Sequence, residues 1–411
     1  MKEIESLLYV SLGNLPSKLA SSIQVAKMSQ ALSQKVANFG LVTSGDLLSA
    51  FRGMDAEFQN WYALNHKFKL IRIPVHLKVK YPFAKNYVRQ SYLKWAVLYA
   101  YLKSPTFVYT RSDGIVAPLL ELGVPVLWER HDLLPEKLPP DSFLRQALAS
   151  KNLIGLITLS PQVAENYIKN GLSSDKVLIA HSGVDTSIYL PYRSKNTARE
   201  QLSLARDAKI ILYGGHLYEH KGIGTILELA RLMPECKFML LGGWQADIER
   251  VKASCLEKGL HNVDLVGHVP QTELAIYLYA ADILLLPTSK QWQLAETTSP
   301  MKLFEYMAVK RPIVASALPN IMTVLRQGEN ALLAEPDNSL SFKKAIEELL
   351  ENPSLAQALA EKAFQEVEQF TWESRASTIL QFARERLSKM SDRRAKNSKT
   401  LLKYLKRVVL T

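Results

Sequence analysis

The chain has 411 residues, of which 47% are hydrophobic and 22% charged, so it can build two packed domains and is not disordered by composition. Its two cysteines cannot form a disulfide framework or a cysteine-rich metal site, which favours a reducing compartment. The formal net charge of +12 calls for a partner of opposite sign, namely nucleic acid, an anionic membrane or a phosphate-bearing substrate.

Much of the positive excess lies near the end of the chain, between residues 389 and 407. Charge confined to one end argues against a nucleic-acid groove spread over the body of the protein. The sequence shows no signal peptide and no stretch near the roughly 18 uninterrupted apolar residues of a membrane span. We therefore expect a cytoplasmic protein that does not bind nucleic acid.

The first half alternates short apolar runs with amphipathic stretches, which is typical of α/β proteins whose parallel sheets are covered by helices. This domain is assigned to residues 1–186. The run PYRSKN interrupts the rhythm, so residues 187–208 are predicted to be an interdomain linker. The predicted strands are at 6–10, 40–43, 70–74, 107–110, 124–129 and 155–160, and the main helices at 22–36, 87–102 and 161–170.

The second half restarts the same rhythm and forms a second domain at 209–370. A long helical stretch then runs from 339 to about 390, with breaks near Pro353 and at Phe370-Thr371, so that residues 371–390 are a helix crossing back to the first domain. Sheets of this kind bind ligands beyond the carboxyl ends of their strands, which favours a site in a central cleft between the domains. The predicted strands are at 209–214, 238–241, 263–266, 283–287, 313–315 and 331–334, and the helices at 223–233, 245–258, 271–281 and 301–309.

A polar loop ending in Ser299 and Pro300 opens the helix that begins near Met301. The free N–H groups of the first helical turn can bind an anion. Lys302 in that turn would gain from a diphosphate, and the carboxylate of Glu305 can accept two hydrogen bonds from a vicinal diol such as a ribose. The alternative is an ordinary amphipathic helix with an exposed lysine–glutamate pair.

A glycine turn ends the first strand of the second half. Gly215 permits close approach of the backbone to a ligand, and Lys221 lies at the mouth of the next helix, where a phosphate can bind. The dinucleotide fingerprint GxGxxG with a downstream acid is missing, which makes a dehydrogenase less favoured.

Several of these motifs occur in a specific order. They are Gly-Gly-His-Leu-x₃-Lys-Gly at 214–222, Gly-His-Val-Pro at 267–270, Ala-Asp-Ile-Leu-Leu-Leu-Pro at 281–287, Ser-Pro-x-Lys-x₂-Glu at 299–305 and Pro-Ile-Val-Ala-Ser at 312–316. This order resembles the donor domain of family 4 retaining glycosyltransferases of the GT-B fold, which has two Rossmann-like domains. Phe-Thr-Trp at 370–372 resembles that family's turn before its last helix, and the resemblance covers most of the chain.

The resemblance implies a nucleotide-sugar donor bound without a metal. Glu305 would bind its ribose, Lys221 and the amides of residues 299–302 its diphosphate, and His268 with Val269 would lie at the edge of the base. His216 stands where the family often has arginine, so the resemblance implies that one phosphate contact is weaker or absent.

The family's usual Glu-x₇-Glu pair is altered here. Counting back from Glu305 gives Thr297, while Glu296 lies one residue out of register. Either a local shift brings Glu296 to the sugar as a catalytic-site residue, or the sugar is held by other groups.

The first half is expected to carry the acceptor. Ser17 and Lys18 lie in a Pro-Ser-Lys-x-Ala-x-Ser loop like that of some family members, and the alternative is a simple helix cap. Arg111 and Glu129 lie at the ends of two neighbouring strands. His131, with acids on either side, is expected to lie in the cleft, and the resemblance makes it the catalytic candidate. The alternative is a surface histidine paired with Asp132.

We therefore predict a retaining glycosyltransferase that moves a sugar from a nucleotide-diphosphate donor to a glycan, lipid-linked or small-molecule acceptor. The alternatives are a nucleotide-sugar epimerase of similar architecture and a non-catalytic nucleotide-sugar-binding subunit. The basic tail at 391–411 contains an amphipathic pattern that predicts a helix on an anionic membrane surface, at the inner face, or else a helix packed on the first domain. Its predicted apolar face consists of Leu401, Leu402, Leu405, Val408 and Val409.

Overall fold

A computed structural model describes residues 3–17, 19–46, 53–76, 82–135, 138–139, 142–390 and 398–409. The chain divides into two compact units, each with its own core. The first unit consists of Met1–His181 together with Trp372–Thr411, and the second consists of Ser182–Thr371.

The first unit is built on a seven-stranded sheet of order β3-β2-β1-β4-β5-β6-β7, in which all neighbours are parallel. Because helices cover both faces of such a sheet, its strands are continuous apolar runs, as in β5, where Val126, Leu127 and Trp128 are all buried. The strands are Ser6–Asn14 (β1), Asn38–Asp46 (β2), Lys69–His76 (β3), Phe107–Thr110 (β4), Val126–Arg130 (β5), Leu153–Thr158 (β6) and Val177–Ile179 (β7).

The helices of this unit begin where the sequence offers capping groups. Ser160 accepts a hydrogen bond from the Val163 N–H, and Pro161 occupies the first helical position, where its missing N–H costs nothing. The helices up to residue 181 are Ala20–Ser33 (α1), Ala56–Trp61 (α2), Pro82–Lys103 (α3), Asp113–Glu121 (α4), Phe143–Ala149 (α5) and Pro161–Lys169 (α6).

The second unit has a six-stranded parallel sheet of order β10-β9-β8-β11-β12-β13. The strand order reverses between β8 and β11, and this switch point is where open α/β sheets bind ligands. Its strands are Lys209–Gly214 (β8), Cys236–Leu241 (β9), Val263–Gly267 (β10), Ile283–Leu286 (β11), Ile313–Ser316 (β12) and Leu332–Ala334 (β13). Its helices are Lys195–Gln201 (α7), Ile223–Leu232 (α8), Gln245–Glu257 (α9), Gln271–Ala280 (α10), Met301–Met307 (α11), Pro319–Met322 (α12), Ser339–Glu351 (α13) and Pro353–Glu366 (α14).

Two helices near the end of the chain belong to the first unit, Trp372–Lys389 (α15) and Ser398–Val409 (α16). In α16, Leu401 and Tyr404 pack against the core of this unit, and the Tyr404 hydroxyl donates to the Lys94 carbonyl at 3.1 Å. Leu401, predicted to lie on the membrane-facing side of the tail, thus packs on the first unit, as in the alternative prediction. Leu402 is 58% exposed. Of the helices formed by the described residues, none combines the length and the apolar character needed to cross a membrane.

The predicted linker at 187–208 differs from the structure. Helix α7 lies inside this segment, and the second unit begins at Ser182 rather than after it. The reason is a buried ion pair, because the Arg199 guanidinium donates to Asp282 at 2.6 Å and to the Ala280 carbonyl at 2.9 Å. A segment that looks polar in sequence is therefore tied to the second core.

The two α/β domains predicted from the sequence are confirmed. The short edge strand β7 had no predicted counterpart, because Val177–Ile179 has only three residues and none of them is fully buried. The first domain ends at His181, five residues before the predicted boundary at 186.

Candidate functional site

Glycine turns follow three neighbouring strands of the second sheet. The Gly215 N–H donates to the Leu241 carbonyl at 2.8 Å, and the Gly242 N–H donates to the Gly267 carbonyl at 2.6 Å. Gly242 has φ +100°, and a Cβ there would lie 2.5 Å from the Gly215 carbonyl oxygen. The turns can approach each other this closely only because glycine has no side chain. The backbone of these turns therefore forms the sheet edge beyond β8, β9 and β10.

Lys302 lies beside this edge. Its Nζ is 3.9 Å from the centre of the Tyr213 ring, in space that opens because Gly215 has no side chain. Burial lowers the pKa of the ammonium well below its ordinary value, and the charge of Lys221 lowers it further. Lys302 forms no ion pair with any residue that the structure describes, yet its side chain keeps a partly exposed surface. An anion could therefore reach it.

Lys221 comes from the turn after β8 and lies over Trp292, which belongs to the loop after β11. The distance from Nζ to the ring centre is 3.7 Å, so the contact spans the switch point of the sheet. Burial lowers the pKa of Lys221 to about 8. Within the described part of the chain it too has no carboxylate partner. Burying an unpaired charge costs free energy of folding. Two lysines desolvated in this way at one sheet edge therefore indicate a site for an anion.

Glu305 is on α11, one turn after Lys302. Burial raises its pKa to about 7, against the opposing effect of the Lys302 charge. The carboxylate also keeps a partly exposed surface. It accepts no hydrogen bond from the described residues, so both oxygens remain able to accept from a ligand.

The remaining residues predicted to bind the donor lie before and in the first turn of α11, and after β10. Ser299 is already engaged, since its Oγ accepts from the Ser182 N–H at 2.9 Å and its carbonyl accepts from the Ser182 hydroxyl at 2.7 Å. Helix α11 has only seven residues, from Met301, with Pro300 as its cap, so its dipole is small and the lysines carry most of the positive potential. His268 is exposed and Val269 is partly buried at the end of β10.

The structure also reveals a row of stacked rings that the sequence did not predict. His216 stacks on Tyr218 with centroids 5.0 Å apart and on Trp244 at 5.6 Å, and His220 stacks on Trp292 at 4.7 Å. The His216 Nδ1 is buried without a hydrogen-bond partner among the described residues. Burial and then the charges of Lys302 and Lys221 lower the pKa of this imidazole, which favours a neutral ring beside the two lysines.

Glu296 is exposed, and the residue at the family position, Thr297, is buried. The Thr297 N–H and hydroxyl both bond to the Leu294 carbonyl. The described contacts thus do not bring Glu296 to Lys302 or Glu305, and its role stays a prediction.

In the first unit, a buried cluster forms at the carboxyl end of β4 and β5. The Glu129 Oε1 accepts from His131 Nε2 at 2.7 Å and from Gln24 Nε2 at 3.0 Å. The other oxygen of Glu129 pairs with Arg375 at 3.1 Å. Burial raises the pKa of Glu129, but the Arg375 charge and the His131 contact outweigh burial and lower it overall. Glu129 is therefore an ionised carboxylate inside the core.

Arg111 completes this cluster. Its Nη1 donates to Gln24 Oε1 and its Nη2 to His131 Nδ1, both at 2.8 Å. His131 is thereby hydrogen-bonded through both ring nitrogens, and burial, followed by the Arg111 charge, lowers its pKa. The sequence named Arg111, Glu129 and His131, but no sequence signal points to Gln24 or Arg375, which come from distant helices.

The two other acceptor-side predictions lie in the loop after β1. The Ser17 N–H donates to the Tyr62 hydroxyl at 2.8 Å, and the Ser17 Oγ accepts from the Leu19 N–H at 3.2 Å. These contacts fix the turn that leads into α1. Lys18 lies outside the described residues.

Residues 194–366 match the family model of glycosyl transferases group 1. Among curated relatives, D-inositol 3-phosphate glycosyltransferases from Nocardioides sp. and Catenulispora acidiphila are 26% and 24% identical, and each match covers 63% of this chain. The chain spans 61% and 66% of the length of these relatives.

Solved structures are similar over almost the whole chain. Sucrose-phosphate synthase from Thermosynechococcus elongatus is 21% identical with a TM-score of 0.72, over 93% of this chain and 99% of that one. HepE from Anabaena, solved in complex with UDP, is 16% identical with a TM-score of 0.70, over 92% of this chain and 100% of that one.

The fold is GT-B. The family model that residues 194–366 match describes glycosyltransferases, and the curated relatives named above are glycosyltransferases. The matched segment contains the glycine turn, both lysines and Glu305.

Lys302→Met should separate anion binding from folding. The unliganded variant should be as stable as the natural protein, or more stable by about 1 kcal/mol, because it no longer buries an unpaired cation. Its melting temperature should no longer rise on addition of inorganic pyrophosphate. Lys252→Met, at an exposed position of α9, is the matched control and should keep the full pyrophosphate response. A pyrophosphate response that survives in Lys302→Met would contradict the assignment.

Glu305→Gln tests the raised pKa of this carboxyl. In the folded protein the carboxyl keeps its proton up to about pH 7, whereas in the unfolded chain it ionises near 4.5. Folding stability contributed by Glu305 is therefore present at low pH and is lost as pH rises from about 4.5 to 7, by up to about 3 kcal/mol.

The glutamine variant cannot ionise, so it should show a flatter pH dependence of stability over this window. Chemical denaturation of both proteins at pH 5, 6 and 7.5 measures the difference. Parallel stability curves for the two proteins would mean that Glu305 titrates normally.

Proposed function

We propose that this chain is a retaining glycosyltransferase that transfers a sugar from a nucleotide-diphosphate donor, and that its second unit binds the donor. The observation that carries the proposal is the pair of desolvated cations, Lys221 and Lys302, on either side of the switch point of the second sheet. A diphosphate supplies the counter-charge that the described protein groups do not.

Each part of the donor then has a partner of matching chemistry. The diphosphate lies between the two lysines, with the amides after Ser299 and the neutral His216 ring as further contacts. The ribose hydroxyls donate to Glu305, whose oxygens have no other donor among the described residues. The base lies along His268 and Val269. HepE, which is solved with UDP, is similar in fold, and this supports a nucleotide as the ligand.

The same two lysines also stabilise the leaving group of the reaction. Departure of the sugar leaves a second negative charge on the terminal phosphate of the nucleoside diphosphate, and fixed cations in a desolvated site stabilise that charge more than water does. The charges of the lysines replace those of a divalent metal, so we propose that transfer is metal-independent. Retention follows if the departing phosphate oxygen helps to deprotonate the acceptor on the same face of the sugar.

The first experiment is a melting-temperature screen with UDP-, GDP- and ADP-sugars. The true donor should stabilise the protein, by about 2.7 kcal/mol at a hundred times its Kd. It should do so equally in EDTA, and Lys302→Met should abolish the effect while Lys252→Met keeps it. No response to any nucleotide sugar would contradict the proposal.

Product analysis then tests the chemistry. With the stabilising donor, NMR of the released or transferred sugar should show the anomeric configuration of the donor. Inversion of that configuration, interconversion of nucleotide sugars without transfer, or binding without any turnover would each overturn the proposed reaction.

We further propose that the protein works in the cytoplasm at an anionic membrane surface that carries its acceptor. The two cysteines are free and buried, which supports a reducing compartment. On the first unit, helix α3 exposes Trp95 and Leu102, by 52% and 68%, and Leu402 of α16 is also exposed. Tyr404 joins α16 to the middle of α3. Aromatic and leucine side chains among lysines are typical of helices that lie in a membrane interface.

Leu402→Glu and Trp95→Glu should weaken sedimentation of the protein with vesicles containing anionic lipid, because each places a charge in the interface. Leu256→Glu is the control, since Leu256 is 74% exposed but lies on the second unit. Vesicle binding should also fall at high salt. Equal binding by all three variants, or binding to neutral vesicles alone, would rule out this surface.

A further inference from the structure

The cluster around Glu129 has a definite direction of hydrogen bonding. A guanidinium has only donors, so His131 Nδ1, which contacts Arg111 Nη2 at 2.8 Å, must offer its lone pair. His131 is then the neutral tautomer that carries its proton on Nε2, and this N–H donates to Glu129. Neither ring nitrogen remains for a substrate while these contacts persist.

Glu129 orients both groups that hold Arg111. It accepts from Gln24 and from His131, and each of these uses its remaining acceptor for one Nη of Arg111. The guanidinium is thus held at two points by groups that share a single carboxylate. Double anchoring of this kind fixes the direction of a planar side chain.

Arg375 makes the arrangement possible. Its guanidinium pairs with the free oxygen of Glu129 and donates from Nε to the His181 carbonyl at 2.8 Å. The one carboxylate of the cluster is therefore neutralised by Arg375 and not by Arg111. Arg111 keeps its charge against two neutral partners, Gln24 and His131.

Arg111 also keeps unused donors. It makes two hydrogen bonds to described residues from five N–H groups, and its side chain has a partly exposed surface. Asp132 is exposed and forms no ion pair with it within the described residues. Arg111 follows β4, which pairs with β1 at the switch point of the first sheet, where a ligand of this unit is expected.

We propose that Arg111 is the substrate-binding residue of this cluster and that it contacts an oxyanion, a phosphate or carboxylate, on the sugar acceptor. Gln24, His131, Glu129 and Arg375 are positioning residues that aim it. Arg111 thereby takes the substrate contact that the sequence predicted for His131. The inference rests on the proposed function only in naming the ligand as the acceptor.

The binding test uses Lys221→Met/Lys302→Met as background, so that anions cannot respond to the donor-site cations. Inorganic phosphate and acetate, each titrated at constant ionic strength, are the probes. Arg111→Met should bind the preferred anion about tenfold more weakly, as expected for one charge-assisted contact. Arg145→Met, an exposed arginine of the same unit, should bind it normally. Equal anion affinity in Arg111→Met and Arg145→Met would overturn the proposal.

The positioning role has its own readout. His131→Gln keeps an acceptor for Arg111 and should retain anion affinity within about threefold, whereas His131→Leu should lose about tenfold, like Arg111→Met. Imidazole ¹⁵N spectra of the natural protein should show a neutral ring protonated on Nε2. Equal losses in both variants, or the other tautomer, would contradict it. Because no nucleotide sugar is used, failure here is distinguishable from failure of donor binding.

Discussion

All strands in both sheets run parallel to their neighbours, and the positions of the cationic groups proposed to bind ligands follow from this. A parallel sheet is covered on both faces, so its strands are apolar and cannot supply chemistry from their middle. The turns after the strands all emerge at one edge instead. Lys221 and Gly215 follow β8, Lys302 follows β11, and Arg111 follows β4, so each reaches the edge where its sheet reverses order.

The two units stabilise their buried charged groups in different ways. In the first, the negative charge of Glu129 is matched by Arg375, and the neutral partners of Arg111 hold its guanidinium in place without cancelling its charge. In the second, Lys302 and Lys221 have aromatic rings beneath them rather than carboxylates. A ring face attracts a cation without removing its charge. Both arrangements leave a positive charge that an anionic ligand can neutralise.

The sequence predicted the strands well because burial on both faces produces unbroken apolar runs, and Phe107–Thr110 and Lys209–Gly214 agree with the structure residue for residue. It also singled out Lys221, Lys302 and Glu305, whose roles in ligand binding stay predictions. The linker prediction failed at Arg199, because the partner that buries this arginine, Asp282, lies 83 residues away. Gln24 and Arg375 were missed for the same reason: contacts between distant segments leave no periodic signal.

The pKa shifts in the second unit fit together when Glu305 and Lys302 are considered as a pair. Burial raises the pKa of the acid and lowers that of the base, so without a ligand the charged form of each group is destabilised. Desolvation always acts in this direction, whereas an ion pair would act against it. A diphosphate beside Lys302 would favour the ammonium, and ribose hydroxyls donating to Glu305 would favour the carboxylate. One ligand that carries both groups would therefore need to move a proton only from the acid to the base, with little exchange with solvent.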